Sequence, residues 1–337
     1  MNFTFTDELR GGFRDRPVLV TGATGLVGAN LVAALTHLGA HVRATVHRKQ
    51  PASAYPAVDY LVCDLTRPED CARAVTGQRW VFHCAARGTN ADGFNRDGGV
   101  EFLENFFMDA NLLAAAHVAD VEKFIWLGST TAYPPTRDRP TVEEDLLRDE
   151  PFEKYHAVGW FKRFSEVLCR IYADRVTPRL STIVVRPSAI YGPQDDFDLA
   201  TCHVVPALVR KVVERSDPLE VWGTGDEERD LVFVEDVVEA LLSAVRLDGY
   251  AAFNIGTGES HTIRQVVENL VALDGFAEAR IQFDFSKPTT IPRRRISIAR
   301  AAKELNWHPR TKLTEGLRRT LEWYRRESGV ARPSSGA

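Results

Sequence analysis

Three glycines at intervals of three, Gly22, Gly25 and Gly28, lie in VLVTGATGLVGANLVAAL, where an apolar β-type run gives way to a helical pattern. Glycine lets such a turn close and lets backbone N–H groups approach a pyrophosphate, while the helix N-terminus adds partial positive charge. The segment Gly22, Thr24, Gly25, Leu26, Val27 and Gly28 is therefore the expected cradle for a dinucleotide. A nicotinamide dinucleotide there would bring hydride transfer.

The ends of the next strands refine that expectation. A ribose-binding acid is missing after HVRATV, and His47, Arg48 and Lys49 stand there instead. A 2′-phosphate suits that turn, so NADP(H) is favoured with NAD(H) as the other option, unless the turn is simply a solvated basic one. Asp64 with Leu65, after DYLVC, could meet the adenine amino group or serve only as a turn. Ala85 and Ala86 in HCAA are small enough for a strand end to pass a flat cofactor, although they also suit helix–sheet packing.

These residues sit in a regular alternation. Strand patterns occur at PVLVTG, HVRATV, DYLVC, WVFHCAA, KFIWLGS and STIVVRPS, separated by helical patterns near 26 to 38, 68 to 76, 99 to 119 and 155 to 173. This predicts an α/β fold, a doubly wound parallel sheet with a smaller C-terminal substrate lobe. The expected organisation is an N-terminal extension over 1–16, a dinucleotide-binding domain over 17–192 to which later segments return, and a substrate lobe over 193–325. A disordered tail is expected over 326–337. Within the lobe, helices are expected near 204 to 215, 235 to 246 and 262 to 273, with a strand near 280 to 284.

The 337 residues, 44% hydrophobic and 26% charged, can bury a substantial core. A net charge of -4 with mixed signs leaves no footprint for nucleic acid. Five cysteines without a C-x-x-C spacing point to a reducing compartment rather than a disulfide framework, and no metal is expected. With no apolar run of membrane-spanning length and no signal-peptide core, a cytoplasmic protein is expected.

Taken in order, T-G-x-x-G-x-x-G, CDL, HCAA, LGSTTAYP and RPSAIYGP resemble the extended short-chain dehydrogenases that modify nucleotide sugars. The resemblance is closest to the GDP-L-fucose synthase branch, the 4-keto-6-deoxymannose epimerase/reductases, and runs from about 17 to 325. CHVVPALVRK, VWGTGDEERDLVFVEDV and SKPTTIPRRR have counterparts in that branch. It implies that Ser129 hydrogen-bonds the sugar oxygen that becomes a carbonyl and that Lys162 contacts the nicotinamide ribose. It implies acid/base work at the sugar ring for His203, and a pyrophosphate near Arg229 and Lys211. Trp222 would lie near the base, Lys287 would contact the substrate, and Arg186, Pro187 and Ser188 would lie beside the nicotinamide.

Three positions depart from that pattern. A Tyr-x-x-x-Lys pair on one helix is implied, but Lys162 has Val158 four residues before it. Aligning on Tyr155 instead would put Gly159 in the lysine position; keeping the helix continuous keeps Lys162. Tyr155, seven residues before Lys162, returns to nearly the same helix face about 10.5 Å along the axis, so direct replacement needs an irregular helix start. The alternative is that Ser129 or Thr131 with water handles the proton. Thr131 also stands where the branch has a proton-exchanging cysteine, which argues against double epimerisation at C3 and C5. Finally, KPTTIP lacks the Asp-Gly that follows Lys-Pro there, which suggests a different sugar or nucleotide contact.

The expected activity is NAD(P)-dependent hydride transfer at a carbon, C4, of a GDP-linked or other nucleotide sugar, as epimerase or reductase. A redox-neutral C4 epimerase that retains NAD is one alternative. A catalytically inactive nucleotide or sugar sensor is another. The helices near 99 to 119 and 155 to 173 would pair two subunits through a four-helix interface.

Overall fold

The computed structural model describes residues 7–52, 54–88, 103–136 and 139–330. The chain begins α1 (Asp7–Phe13), β1 (Pro17–Thr21), α2 (Leu26–His37), β2 (His41–Val46), β3 (Asp59–Val62), α3 (Pro68–Val75) and β4 (Trp80–His83). It continues α4 (Leu103–Val118), β5 (Lys123–Leu127), α5 (His156–Asp174), β6 (Ser181–Pro187), β7 (Ala189–Tyr191), α6 (Val204–Val213), β8 (Leu219–Trp222), β9 (Glu228–Arg229) and β10 (Leu231–Phe233). It ends α7 (Val234–Ala244), β11 (Tyr250–Ile255), β12 (His261–Thr262), α8 (Ile263–Asp274), β13 (Ile281–Asp284), β14 (Arg293–Arg294), α9 (Ala299–Glu304) and α10 (Leu313–Ser328).

Seven strands form one parallel sheet in the order β11-β6-β5-β4-β1-β2-β3. All four residues of β4 are buried, as expected of a strand covered by helices on both faces. One face packs on α2 and α7 through Leu31, Leu35, Val238 and Leu241, the other on α3 and α4 through Cys71, Leu112 and Leu113. The strand order reverses between β1 and β4, and in such a sheet the crevice outside the strand ends at that point is where ligands bind. A second core joins α6, α8 and α10 with β8 and β10.

Local chemistry explains the element ends. Pro68 starts α3 with Glu69 and Asp70 in its first turn, opposite the helix dipole. Thr262 and Gln265 form a capping box on α8, which Gly275 closes in the left-handed conformation. Two ends differ from expectation. Helix α10 runs to Ser328 before the left-handed Gly329, so the disordered tail does not begin at 326; residues 331–337 lie outside the described residues. The helix expected from 99 is described from Leu103, with 99–102 outside. In the N-terminal extension, α1 buries Leu9 and Phe13, the latter edge-on to Trp80 at 5.1 Å.

What matters for the cleft is how α5 meets the end of β5. After β5 the chain makes a 3-10 turn, Thr130–Ala132, and a second one, Glu153–Tyr155, leads into α5. Gly159 lets these surfaces touch: a Cβ there would stand 2.6 Å from Pro151 Cβ and 3.0 Å from the Thr131 carbonyl oxygen. Buried Arg163 then donates from Nε to Ala132 O at 2.8 Å and from Nη2 to Asp149 O at 2.7 Å. On β6, Arg186 donates to Glu166 of α5, to the Tyr133 hydroxyl and to Glu143 O at 3.1 Å. Replacing Arg163 with Met removes both carbonyl bonds, and denaturant melts should show a loss of about 2 to 4 kcal/mol. An unchanged midpoint would mean that Arg163 does not hold this turn.

Candidate active site

At the cofactor end, Gly22 has φ +69, and a Cβ on it would lie 2.7 Å from Ala85 Cα; a Cβ on Gly28 would lie 2.1 Å from Gly22 O. Those two glycines let the β1 turn, the β4 end and α2 close on one another. Gly25, the N-cap of α2, meets only Gly22 O at 3.5 Å, so its outer side is open. This open helix N-terminus between Leu26, Val27 and the Ala85–Ala86 segment fits a dinucleotide pyrophosphate. His47, Arg48 and Lys49 are exposed just beyond β2. Asp64 accepts from Thr66 N–H and Oγ1 at 3.0 and 2.6 Å, bonds that hold its carboxyl below the usual range. Leu65 is buried, and its carbonyl accepts from Cys71 Sγ at 3.3 Å.

Below the β4 end lies a polar chain that sequence reasoning missed, because its members are 144 residues apart at most and share no motif. Thr21 Oγ1 accepts from Cys84 N–H at 3.2 Å and Ala85 N–H at 3.1 Å, so its one proton points to His83 Nδ1 at 2.7 Å. The proton of His83 is thereby placed on Nε2, 2.8 Å from Asp109 Oδ1. Trp126 Nε1 and Ser165 Oγ donate to the same carboxylate at 3.1 and 2.5 Å. Burial alone would raise the Asp109 carboxyl, but His83, the Lys162 charge and Ser165 outweigh it and hold the carboxyl below its usual range. Lys162 itself is buried, donates to Leu127 O at 3.4 Å and lies over the Trp126 ring at 4.6 Å. Burial pushes the neighbouring Cys84 thiol up to about 12, against a smaller lowering by Lys162, which makes it a poor nucleophile.

Two residues beyond Leu127, Ser129 caps the 3-10 turn. Its Oγ accepts from Thr131 N–H at 3.1 Å and from Thr131 Oγ1 at 2.9 Å. With both acceptor positions filled, the Ser129 proton is left to donate outward. Val158 is buried in an apolar cluster with Tyr155 and Ile291. Tyr155 closes the irregular turn before α5, edge-on to Phe152 at 5.8 Å.

The other expected substrate residues belong to the second lobe. Lys211 Nζ donates to Glu220 O at 2.8 Å, Trp222 Nε1 to Glu220 Oε1 at 3.0 Å, and Lys287 lies over the Trp222 ring at 5.7 Å. Burial lowers the Lys211 pKa, partly opposed by Glu220. Arg229 donates to Glu228 O at 2.8 Å and Thr290 Oγ1 at 2.9 Å; burial lowers its pKa, with Tyr155 opposing. His203 is the N-cap of α6 and is exposed, and desolvation lowers its pKa from the ordinary value. Pro187 ends β6, and Ser188 Oγ donates to Asp230 Oδ1 at 3.1 Å, inside a network with Thr257 and Gly258.

The structure thus brings Lys162, Ser129 and Thr131 together at the β5 end, Tyr155 beside Arg229, and Lys211, Trp222 and Lys287 around Glu220. Sequence reasoning missed Arg294, paired in register with Arg229 across β14 and β9. It also missed Asp195, which lines a cavity with Thr24, Lys49, Tyr55 and Tyr60; burial pushes its carboxyl up to about 7. Among the described residues, no group of His, Cys, Asp or Glu is arranged to hold a metal ion, and no helix is long and apolar enough to cross a membrane.

The chain is 30% identical over 327 residues to a probable GDP-L-fucose synthase 1 of Oryza sativa subsp. japonica, covering 91% of each chain. It is 29% identical over 320 residues to a dTDP-4-dehydro-6-deoxy-D-allose reductase of a Streptomyces species, covering 92% of this chain and 96% of that protein. The solved structure of MoeE5 in complex with UDP-glucose and NAD superposes with a TM-score of 0.80 at 28% identity, over 93% of this chain and 99% of that one. Residues 18–256 match the model of the NAD dependent epimerase/dehydratase family, and the chain belongs to that family.

Proposed function

We propose that this protein transfers hydride at C4 of a nucleotide sugar, as a reductase of 4-ketosugars or as an epimerase, with GDP as the nucleotide favoured by resemblance. A nicotinamide dinucleotide, when bound, supplies or accepts the hydride. The observation that carries the reading is the Ser129 hydroxyl, freed to donate by its two bonds from Thr131, two residues beyond Leu127, whose carbonyl accepts from buried Lys162. A hydroxyl so placed binds a sugar oxygen while it changes between alcohol and carbonyl, and a cation nearby stabilises developing negative charge. The relatives named above, two of them reductases or synthases of 6-deoxysugars by name, support the same class.

The proton requires a donor that Val158 cannot supply. Tyr133 is near the Ser129 turn, but its hydroxyl donates to Asn254 Oδ1 at 2.6 Å and accepts from Arg186, and burial pushes its pKa well up. Tyr155 is the phenol we assign, brought over by the 3-10 turn that replaces the first turn of α5. It lies within electrostatic reach of Arg229 and Arg294. His203, whose pKa desolvation lowers from its ordinary value, is assigned acid/base work on the other side of the sugar. In Tyr155→Phe, kcat should fall by about 100-fold or more with little change in thermal midpoint. Full turnover would transfer the proton step to Ser129 or Thr131 with water.

For the cofactor we assign NADP(H), on the exposed basic turn His47, Arg48 and Lys49. Titration should show tighter binding of NADPH than NADH, and Arg48→Ala should remove about a tenfold preference. A protein that instead releases near-stoichiometric NAD⁺ on denaturation is the redox-neutral epimerase and overturns that assignment.

We further assign a homodimer. α4 and α5 pack side by side and expose Phe107 (48%), Phe164 (50%), Val167 and Ile171, an apolar face suited to the same face of a second copy. Light scattering should give a dimer mass, halved in Phe164→Glu; a monomeric wild type would overturn the assignment.

A further inference from the structure

Asp195 carries a buried oxygen that the fold leaves unanswered. It lies in the loop after β7, where Asn30 Nδ2 of α2 donates to Pro193 O at 2.9 Å and Gln194 takes a left-handed φ of +73. One carboxylate oxygen, Oδ1, accepts from Asp196 N–H at 2.8 Å. The other, Oδ2, is shut off from solvent and has no hydrogen-bond partner among the described residues. A buried acceptor without a donor is unfavourable, and more so when it is charged. Desolvation therefore pushes the carboxyl up to about 7; the Asp196 N–H opposes this and the Asp196 charge adds to it.

The cavity that Asp195 lines identifies what could answer it. Its walls include Thr24 of the glycine turn and Lys49 of the basic turn beyond β2, the two segments that an adenosine ribose is expected to meet. No acid follows β2 to hold a ribose hydroxyl, and Asp64 is committed to Thr66. An acid from a different element thus stands in the enclosure where β2 provides only cations. The other titratable groups on the cavity are Lys49, Tyr55 and Tyr60, with burial raising the Tyr55 phenol; α2 and α10 contribute only Ala29, Val32 and Trp323. Along the Asp195 loop, Asp196 accepts from Thr201 Oγ1 at 2.6 Å, and burial with the nearby acids pushes Cys202 up to about 12. His47 and Arg48 precede Lys49 on the exposed turn.

We propose that Asp195 reads the 2′ position of the dinucleotide: its carboxylate accepts from a 2′-hydroxyl, and its protonated carboxyl donates to a 2′-phosphate that Lys49 also meets. This rests on the NADP(H) reading above and adds to the basic turn a residue that makes the choice of cofactor depend on pH. A carboxyl O–H donating to phosphate forms a short, charge-assisted bond, whereas the ionised carboxylate repels the same phosphate. The free carboxyl titrates near pH 7, and a phosphate beside it raises its pKa further. NADPH binding therefore takes up a proton; it is strongest below pH 7 and weakens as the pH rises above it. NADH, whose 2′-hydroxyl needs the ionised acceptor, changes in the opposite sense.

The test is calorimetric titration of the full chain with NADPH and with NADH at about pH 6.5 and 8.5, repeated at about pH 7.5 in HEPES and in Tris, whose different ionisation enthalpies report proton uptake. The preference for NADPH over NADH should fall by about tenfold or more between the two pH values. NADPH should bind with uptake of about half a proton or more per site, and NADH with no uptake. Asp195→Asn, whose amide donates to phosphate or accepts from a hydroxyl at any pH, should hold the preference constant within about threefold and abolish the uptake. His47 is unchanged in that variant, so its titration cannot imitate the loss. Should Asp195→Asn fail to fold, His47→Gln decides: uptake that persists supports the proposal, and uptake that vanishes overturns it. A constant preference for NADPH in the wild type overturns the proposal and leaves the NADP(H) reading intact. A pH dependence that survives in Asp195→Asn belongs to another group and also overturns it. Tighter binding of NADH at both pH values overturns both readings.

Discussion

The geometry of the cleft hangs on one buried charge. Arg186 projects from β6 and is fully committed: to the Glu166 carboxylate on α5, to the Tyr133 hydroxyl and to the Glu143 carbonyl. Glu166 accepts in turn from Tyr250 of β11 at 2.7 Å. Interior charge is tolerated only when it is paired and hydrogen-bonded, so four segments are held around this guanidinium. Arg294 is nearly as deep and has none of these partners. Two arginines in similar burial thus differ: one is satisfied within the fold, and the other keeps two guanidinium nitrogens without a hydrogen-bond partner among the described residues.

The chemistry at the reacting end follows from a displacement rather than a deletion. An apolar Val158 lets the first turn of α5 seal against Ile291. The chain before it tightens into a 3-10 turn, which sets Tyr155 beside Arg229 and Arg294 instead of beside Lys162. Lys162 is left with Trp126, Leu127 O and the Asp109 chain beneath it. Lys162 and Tyr155 thus have separate neighbours, Trp126 and the Leu127 carbonyl for the lysine and the two arginines for the tyrosine.

The sheet was legible because its strands carry β-branched runs at regular spacing and because Gly22 and Gly28 occupy places where any side chain would collide. The elements of the second lobe were legible as helices but not as a sheet: β9, β12 and β14 are two residues long and exist only through pairing. The same reason hid Arg294. In the sequence it is one of three consecutive arginines, Arg293, Arg294 and Arg295; only pairing with β9 buries the middle one, while its neighbours stay exposed. His83 and Asp109 were invisible as partners because a contact between β4 and α4 has no local signature.

The position of β11 has a bearing on how the chain can be made. It forms the outer strand of the large sheet beside β6, although α6, β8 and β9 of the other lobe come between them in sequence. During synthesis, β6 therefore presents an open hydrogen-bonding edge until the residues through Ile255 have left the ribosome. The two lobes are interleaved, and neither has all its parts when the other begins. A boundary drawn after β6 divides the cleft by function but does not divide the chain into units that fold one after the other.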